Sequence, residues 1–274
     1  MTRRYAVIGN PIGHTKSPAI HMAFAAAAGQ DIRYEAILAP LDGFAAAVDA
    51  FRAAGGRGLN VTVPFKLDAA AYADRLLDRA RQAGAVNALR FDGGTAEADN
   101  FDGLGLVRDI VANLGCPLRD RRVLVLGAGG AARGALAPLL EQRPAEVVVA
   151  NREPERAAEL AERFAALGPV SATGYDALRQ AGGFEVVINA TSASLSGALP
   201  DLGAGVFGPG CLAYEMVYGK GLTPFLRLAQ DAGAGHLADG VGMLVEQAAE
   251  AFAWWRGVRP DTQAVIARMT VPLA

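Results

Sequence analysis

Short β-branched runs alternate with Ala- and Leu-rich segments along the whole chain. The runs at 5–8, 34–38, 58–61, 88–91, 123–126, 146–150, 186–189 and 211–216 read as strands. Between them, 17–28, 44–54 and 156–166 carry helical spacing, and 242–255 predicts a long C-terminal helix, apolar on one side. Ser17-Pro18 and Thr223-Pro224 each look like a helix start, an N-cap followed by proline in the first turn. This alternation predicts an α/β fold, mainly parallel sheets with helices on their faces. The segment 103–114 reads as a helix, with Gly115-Cys116-Pro117 as its exit. A fresh strand–glycine loop–helix unit follows. That restart predicts two α/β domains, with a cleft between them as the expected ligand site.

Composition narrows the function class. The chain has 274 residues, 52% of them apolar and 20% charged, which excludes a disordered protein. With 26 basic and 28 acidic side chains the formal net charge is −2, without the basic excess of a general nucleic-acid or anionic-membrane binder. No apolar run reaches the length of a membrane span, and the start of the chain runs directly into a strand pattern without a leader-like segment. Cys116 and Cys211 are far apart and form no CxxC, so they predict packing roles, not a disulfide framework. His14, His21 and His236 lack metal-ligand spacing. A cytoplasmic protein is the expectation.

The clearest chemical motif follows the strand at 123–126. Gly127-Ala128-Gly129-Gly130-Ala131-Ala132 is a G-x-G-x-x-A turn between a buried strand and a helix predicted over 133–141. Gly127 permits the tight turn, Gly129 allows a pyrophosphate to approach the backbone, and Ala132 permits close helix–strand packing. The helix N-terminus then offers free N–H groups to phosphate. The next strand ends in Asn151-Arg152, with Arg156 one helical turn on, where an NAD site usually carries Asp or Glu. Two guanidinium groups there favour a 2′-phosphate, and so NADP. Glu153 opposes that reading. A plainer alternative makes Arg152 and Arg156 helix-start partners of Glu153, Glu155 or Glu159.

The first third of the chain places polar residues just beyond strand ends, where open α/β sheets bind ligands. They include Thr15 and Ser17, then Asn60, Thr62 and Lys66, then Asn87 and Asp102. Hydride addition to a ketone develops negative charge on oxygen, which a cation or acid must stabilise and protonate. Lys66 can do both, and a nearby carboxylate such as Asp102 would orient it. Taken singly, each has a plain structural alternative: Ser17 an N-cap, Lys66 a solvated helix-start lysine, Asp102 the cap of the helix opening at Gly103.

Nine ordered blocks together resemble the shikimate dehydrogenase family, over about residues 5–265. They are Gly9-Asn-Pro-Ile with His14 and Lys16-Ser17-Pro18, Asn60-Val-Thr-Val-Pro-Phe-Lys66, Ala83-Gly-Ala-Val-Asn87 and Asp99-Asn-x-Asp102-Gly103. The remainder are Gly127-Ala-Gly-Gly-Ala-x-Arg133, Asn151-Arg152, Ile188-Asn-Ala-Thr-Ser192, Lys220-Gly-x-Thr-Pro-Phe225 and Asp239-Gly-x-Gly-Met-Leu-Val-x-Gln247. The resemblance implies NADPH-dependent, reversible reduction of 3-dehydroshikimate to shikimate, a step of aromatic amino-acid and chorismate biosynthesis, with Lys66 and Asp102 as the catalytic pair. It implies that Thr15 and Ser17 bind the substrate carboxylate, that Asn60, Thr62, Asn87, Asp102 and Gln247 bind its hydroxyls, and that Tyr218 lies near it. It places Thr191 in the cofactor site, and Gly240 and Met243 beside the nicotinamide. It implies a substrate domain of residues 1–102 and 239–274, an inserted NADP-binding Rossmann domain over 103–238, and a monomer or homodimer.

Six positions depart from the family's usual residues. Thr15 replaces Ser, Phe101 replaces Thr, Ala132 replaces Ser, Glu153 replaces Thr or Ser, Ser194 replaces Gly, and Glu215 replaces Asp. Phe101 and Glu153 keep open a relative that uses quinate, aminoshikimate or NAD. A dinucleotide-binding regulator without turnover is the other alternative, and the presence of Lys66 and Asp102 argues against it.

Overall fold

The computed structural model describes residues 2–191, 193 and 202–273. Ser192 and Ser194 therefore lie outside the described residues. The chain divides into two compact units, Met1–Gly105 with Val245–Arg268, and Leu106–Leu244 with Met269–Ala274. The expected joins at 102/103 and 238/239 differ from these because both observed joins fall inside helices, which no motif border marks. The expected assignment of the tail to the first domain is corrected. Leu273 packs with Phe225 and Leu226 in the second unit.

The first unit contains strands β1 (Arg3–Gly9), β2 (Ile32–Leu38), β3 (Gly56–Val61), β4 (Arg75–Leu76), β5 (Ala88–Asp92) and β6 (Thr95–Asp99). Helices α1 (Ser17–Ala27), α2 (Phe44–Ala53), α3 (Lys66–Tyr72) and α4 (Asp78–Ala83) connect them, and α5 (Asp102–Arg108) leaves the sheet. The strand order is β2-β1-β3-β5-β6-β4. β1 pairs in parallel with β2 and β3, while β5 runs antiparallel to β3 and to β6. The sequence pattern missed β4 and β6. The β5–β6 hairpin turns at Gly93-Gly94, both at positive φ (54° and 89°), which is the geometry two-residue hairpins require. Thr95-Ala-Glu-Ala-Asp99 has weak strand propensity, and the hairpin supplies the pairing. Ile8, Leu59, Val61, Phe65 and Leu89 fill the core of this unit.

The second unit is an all-parallel sheet of β7 (Arg122–Leu126), β8 (Glu146–Asn151), β9 (Val170–Gly174), β10 (Phe184–Asn189), β11 (Phe207–Glu215) and β12 (His236–Asp239). Helices α6 (Gly130–Glu141), α7 (Pro154–Phe164), α8 (Tyr175–Leu178) and α9 (Pro224–Asp231) alternate with the strands. Read from one edge the order is β9-β8-β7-β10-β11-β12, the doubly wound arrangement of dinucleotide-binding domains. Along β7, Val123 and Val125 face one hydrophobic layer and Leu124 and Leu126 the other, as period-two burial on both faces demands. The missed strands β9 and β12 are edges, where burial leaves little hydrophobic signature. Two helices begin in one unit and end in the other by chain division: α5, and α10 (Val241–Arg256). A last helix, α11 (Gln263–Met269), follows. The predicted helix over 103–114 is α5 followed by a π-helical turn at Asp109–Asn113. No helix among the described residues is long and apolar enough to cross a membrane.

Candidate active site

In the first unit, the polar residues singled out by sequence gather around one carboxylate. Lys66 opens α3, directly after the β3 loop, and Asp102 opens α5 after β6. Lys66 Nζ donates to Asp102 Oδ2 at 2.6 Å. The other carboxylate oxygen accepts from Asn87 Nδ2 at 2.8 Å, and Asn87 Nδ2 also donates to Gln247 Oε1 at 3.1 Å. Asn87 is held in turn, because its Oδ1 accepts from the Phe101 N–H at 2.9 Å. The Asp102 N–H is taken by the Asn100 side chain at 3.0 Å. The lysine is therefore part-buried and paired, not a solvated helix-start residue, and Asp102 spends both oxygens on side chains instead of on a cap.

Thr15 lies on the loop between β1 and α1, and Ser17 is the first residue of α1. Their hydroxyls are 3.3 Å apart, and Thr15 Oγ1 also accepts from the Ser17 N–H at 3.3 Å. The expected N-cap at Ser17 is corrected. Lys16 is the cap residue, without any side-chain capping bond, and Pro18 lies in the first turn. The Ser17 hydroxyl faces Thr15 and the Tyr34 phenol instead of the helix backbone. At the second helix start the expectation holds, with Thr223 Oγ1 accepting from Leu226 N–H at 3.3 Å. Thr62 caps the end of β3, its N–H bonded to Ile8 O and its methyl packed over Gly9, where a Cβ would collide with it.

Sequence reasoning missed two residues beneath this set. Tyr34, on β2, donates its O–H to Asn60 Oδ1 at 2.7 Å. His21, on α1, stacks on the Tyr34 ring at 4.2 Å and 6°. Both sit in apolar surroundings, where nothing in the local pattern marks a side chain as more than packing. Burial pushes the Tyr34 phenol well above the usual tyrosine range, against a smaller pull from the Ser17 hydroxyl beside it. Phe101 turns its ring onto Trp254 (5.6 Å, edge-on) with the Arg79 guanidinium 5.4 Å from the ring centre. Only its backbone N–H serves the Lys66–Asp102 cluster.

The second unit holds the predicted nucleotide motif. Gly127 has φ +101°, a conformation that favours glycine, and a Cβ there would stand 2.9 Å from Thr191 Cγ2. Gly127 and Thr191 thus meet where strand order reverses between β7 and β10. α6 begins at Gly130, not at residue 133 as the sequence suggested. Gly129 is its N-cap without a side-chain bond. A Cβ on Gly129 or on Gly130 would meet nothing within 4 Å. Open space beside two side-chain-free residues at a helix N-terminus is the cradle a pyrophosphate needs, so these residues, with Ala128 and Ala131, fit a dinucleotide.

Thr191 is fixed from below. Asn189 Oδ1 accepts from the Thr191 hydroxyl (2.7 Å) and N–H (3.1 Å), and Asn189 Nδ2 donates to the buried Glu215 (3.1 Å). Glu215 also accepts from Thr223 Oγ1 at 3.1 Å. At the end of β8, Arg152 is largely exposed, with Glu153 Oε1 3.9 Å from it and 3.6 Å from Arg156. Asn151 Nδ2 donates to the Glu153 carbonyl at 3.0 Å. Gly240 packs its α-carbon against the Met216 carbonyl, leaving no room for a side chain. Met243 lies at the start of α10 against the second unit's core. Tyr218, in the loop after β11, is 36% exposed, and partial burial raises its pKa. Cys116 and Cys211 are unpaired and pack in that unit's hydrophobic layers.

A doubly wound unit with an open glycine cradle, and a unit carrying a lysine–carboxylate pair among amide and hydroxyl groups, define a dinucleotide-dependent oxidoreductase acting on a polar small molecule. Known proteins give the family. The pattern of a shikimate dehydrogenase substrate binding domain matches residues 7–89, that of shikimate / quinate 5-dehydrogenase 109–196, and that of the shikimate 5'-dehydrogenase C-terminal domain 240–270. A Nitrosospira multiformis protein named shikimate dehydrogenase (NADP(+)) is 59% identical over 97% of this chain and 96% of its own. A Dechloromonas aromatica protein of the same name is 57% identical over 100% and 99%. Among solved structures, an Ael1 enzyme from Pseudomonas putida superposes with TM-score 0.96 at 58% identity, covering 100% of both chains. The Thermus thermophilus shikimate 5-dehydrogenase in complex with NADP(H) and shikimate gives 0.86 at 34% identity, covering 97% and 98%. The chain belongs to the shikimate dehydrogenase family.

Proposed function

We propose that this chain catalyses the NADP-dependent, reversible interconversion of 3-dehydroshikimate and shikimate, with Lys66 and Asp102 as its catalytic pair. The observation that carries the reading is the 2.6 Å Lys66–Asp102 bond within an amide cluster. NADPH, when bound, would supply the hydride. Lys66 stands ready to donate a proton from Nζ to the carbonyl oxygen as negative charge develops there, which is where a positioned cation lowers the barrier most. In the reverse direction the same nitrogen removes the hydroxyl proton. Asp102, fixed by Asn87, holds the ammonium in one direction and lowers the cost of orienting it. Thr15 and Ser17 present adjacent hydroxyls suited to a carboxylate. Asn60, Thr62, Asn87 and Gln247 supply the amide and hydroxyl groups that read ring hydroxyls, and Tyr218 adds a phenol near the substrate.

Gly127, Ala128, Gly129, Gly130 and Ala131 would hold the pyrophosphate. Asn151, Arg152 and Arg156 would hold the 2′-phosphate ribose, and Thr191, Gly240 and Met243 the nicotinamide end. We assign the substrate role to the first unit and the NADP role to the second, and a cytoplasmic location to the protein. The Phe101 ring, engaged with Trp254 and Arg79, favours shikimate over an altered substrate, since the substitution adds bulk away from the Lys66–Asp102 cluster. The test is a two-by-two turnover assay, offering shikimate and quinate each with NADP⁺ and NAD⁺. Turnover mainly with shikimate and NADP⁺ supports the reading. A preference in another cell moves the chain to a sister activity, and silence in all four with NADPH still bound makes it a nucleotide-binding regulator.

A further inference from the structure

Tyr34 occupies a strand position with no chemistry of its own in the reaction, yet its hydroxyl reaches the substrate-facing set. Its O–H donates to Asn60 Oδ1 at 2.7 Å. On its other side lies the Ser17 hydroxyl, whose oxygen already accepts from Thr15, so Ser17 can donate to the phenol oxygen and leave the phenol proton to Asn60. The ring lies flat on His21, and His21 is walled by Phe24, Phe252 and Trp255. Neither His21 ring nitrogen meets hydrogen-bond geometry with a protein group, although the Asn60 side chain lies beside the ring, and the imidazole packs as an aromatic plate under the phenol. The plate fixes the height of the phenol, and the phenol fixes Asn60.

An asparagine amide has two ends of nearly equal shape and opposite polarity. With Oδ1 claimed by Tyr34, Asn60 keeps its NH₂ group, of which one hydrogen points loosely at the Asn87 carbonyl (3.4 Å). That carbonyl is already satisfied by the Val61 N–H at 2.8 Å. Flipping the amide would set Asn60 Oδ1 against the Asn87 carbonyl, acceptor against acceptor in a buried position, and would force the Tyr34 O–H to turn away and accept instead of donate. We propose that Tyr34 is a positioning residue which locks Asn60 as a hydrogen-bond donor. Asn60 then selects, at its place in the substrate pocket, an oxygen that can accept, and the hydroxyl it reads must direct its own hydrogen elsewhere. This inference rests on the proposed substrate class and deepens it.

The test is a double-substitution cycle of Tyr34→Phe, Asn60→Ala and the pair, in the full-length protein. It measures kcat, the KM for shikimate, the KM for NADP⁺, shikimate affinity by calorimetry, and thermal stability. Tyr34→Phe should raise the shikimate KM about tenfold, the scale of one misplaced hydrogen bond. It should change kcat less than about threefold and leave the NADP⁺ KM unchanged. In the Asn60→Ala background the same change should add less than about twofold, since contacting residues that act as one unit are not additive. Equal factors in both backgrounds, or an equal rise in the NADP⁺ KM, would overturn the proposal by making Tyr34 a general packing residue. Asn60→Asp serves if Tyr34→Phe does not fold. It keeps the acceptor for Tyr34 but removes the donor, so it should weaken shikimate at least as much as Asn60→Ala. An unchanged KM there would also overturn the proposal. Wild-type protein that turns over shikimate while the cycle is additive sinks this inference alone. Wild-type protein that does not turn over shikimate sinks the proposed function and this inference with it.

Discussion

Lys66 and Asp102 are 36 residues apart in the chain and 2.6 Å apart in space, Nζ to Oδ2, with the second carboxylate oxygen held by Asn87. An ion pair of this kind, part-buried and fixed on both sides, leaves the ammonium one direction in which to act. Lys66→Ala should lower kcat on the order of 10²-fold or more, with a much smaller effect on either KM, as loss of a proton donor requires. Steady-state kinetics in both directions would check this. Near-normal turnover would remove Lys66 from the chemistry.

Gly129 offers a sharper test of the nucleotide cradle. Its φ of −84° suits any residue, and a Cβ there meets nothing within 4 Å. Gly129→Ala should therefore fold with a melting temperature close to that of wild type. The added methyl would enter the space a pyrophosphate needs, so the NADP⁺ dissociation constant should rise about tenfold or more while shikimate affinity holds. Calorimetric titration with each ligand separates the two. Unchanged NADP⁺ binding would place the phosphates elsewhere.

Glu153 stands 3.9 Å from Arg152 and 3.6 Å from Arg156. Both pairs are exposed, so their contribution to stability is small, but the carboxylate repels a 2′-phosphate approaching the same guanidinium groups. Glu153→Gln should lower the KM for NADP⁺ a few-fold and leave that for NAD⁺ unchanged. Arg152→Ala should raise the KM for NADP⁺ far more than that for NAD⁺. Parallel shifts with both cofactors would make Arg152 and Glu153 a structural pair.

His21 carries a pH signature. Burial holds its imidazole down at about 3, against a smaller upward pull from the Asn60 side chain, whereas the unfolded chain titrates near 6.5. Below pH 6.5 the unfolded state binds a proton that the folded state refuses. Stability is thus complete above pH 6.5 and declines as pH falls towards 3, by on the order of 4 kcal/mol. His21→Phe keeps an aromatic plate under Tyr34 and removes the titration. Its stability relative to wild type should grow steadily from pH 6.5 down to pH 4 in denaturant melts. A constant offset across that range would show that His21 does not govern the acid limb.

The amino-acid sequence by itself determined the class of fold, the glycine turn, and the identity of the polar residues beyond the strand ends. These are local properties. Hydrophobic period marks buried strands, small residues mark a tight turn, and a polar residue next to a buried run stands out against its neighbours. The eight expected strands are all present, while β4, β6, β9 and β12 escaped, being edges or hairpin partners whose burial depends on what lies beside them. Tertiary structure decided the partnerships. Nothing in the local pattern joins Asn87 to Gln247 across 160 residues, or turns the Phe101 ring towards Trp254. Period alone cannot tell a buried phenol that packs from one that also directs an amide. Tyr34 and His21 carry no local mark of a role in the site, and only the folded backbone, by stacking one on the other beneath Asn60, gave them one.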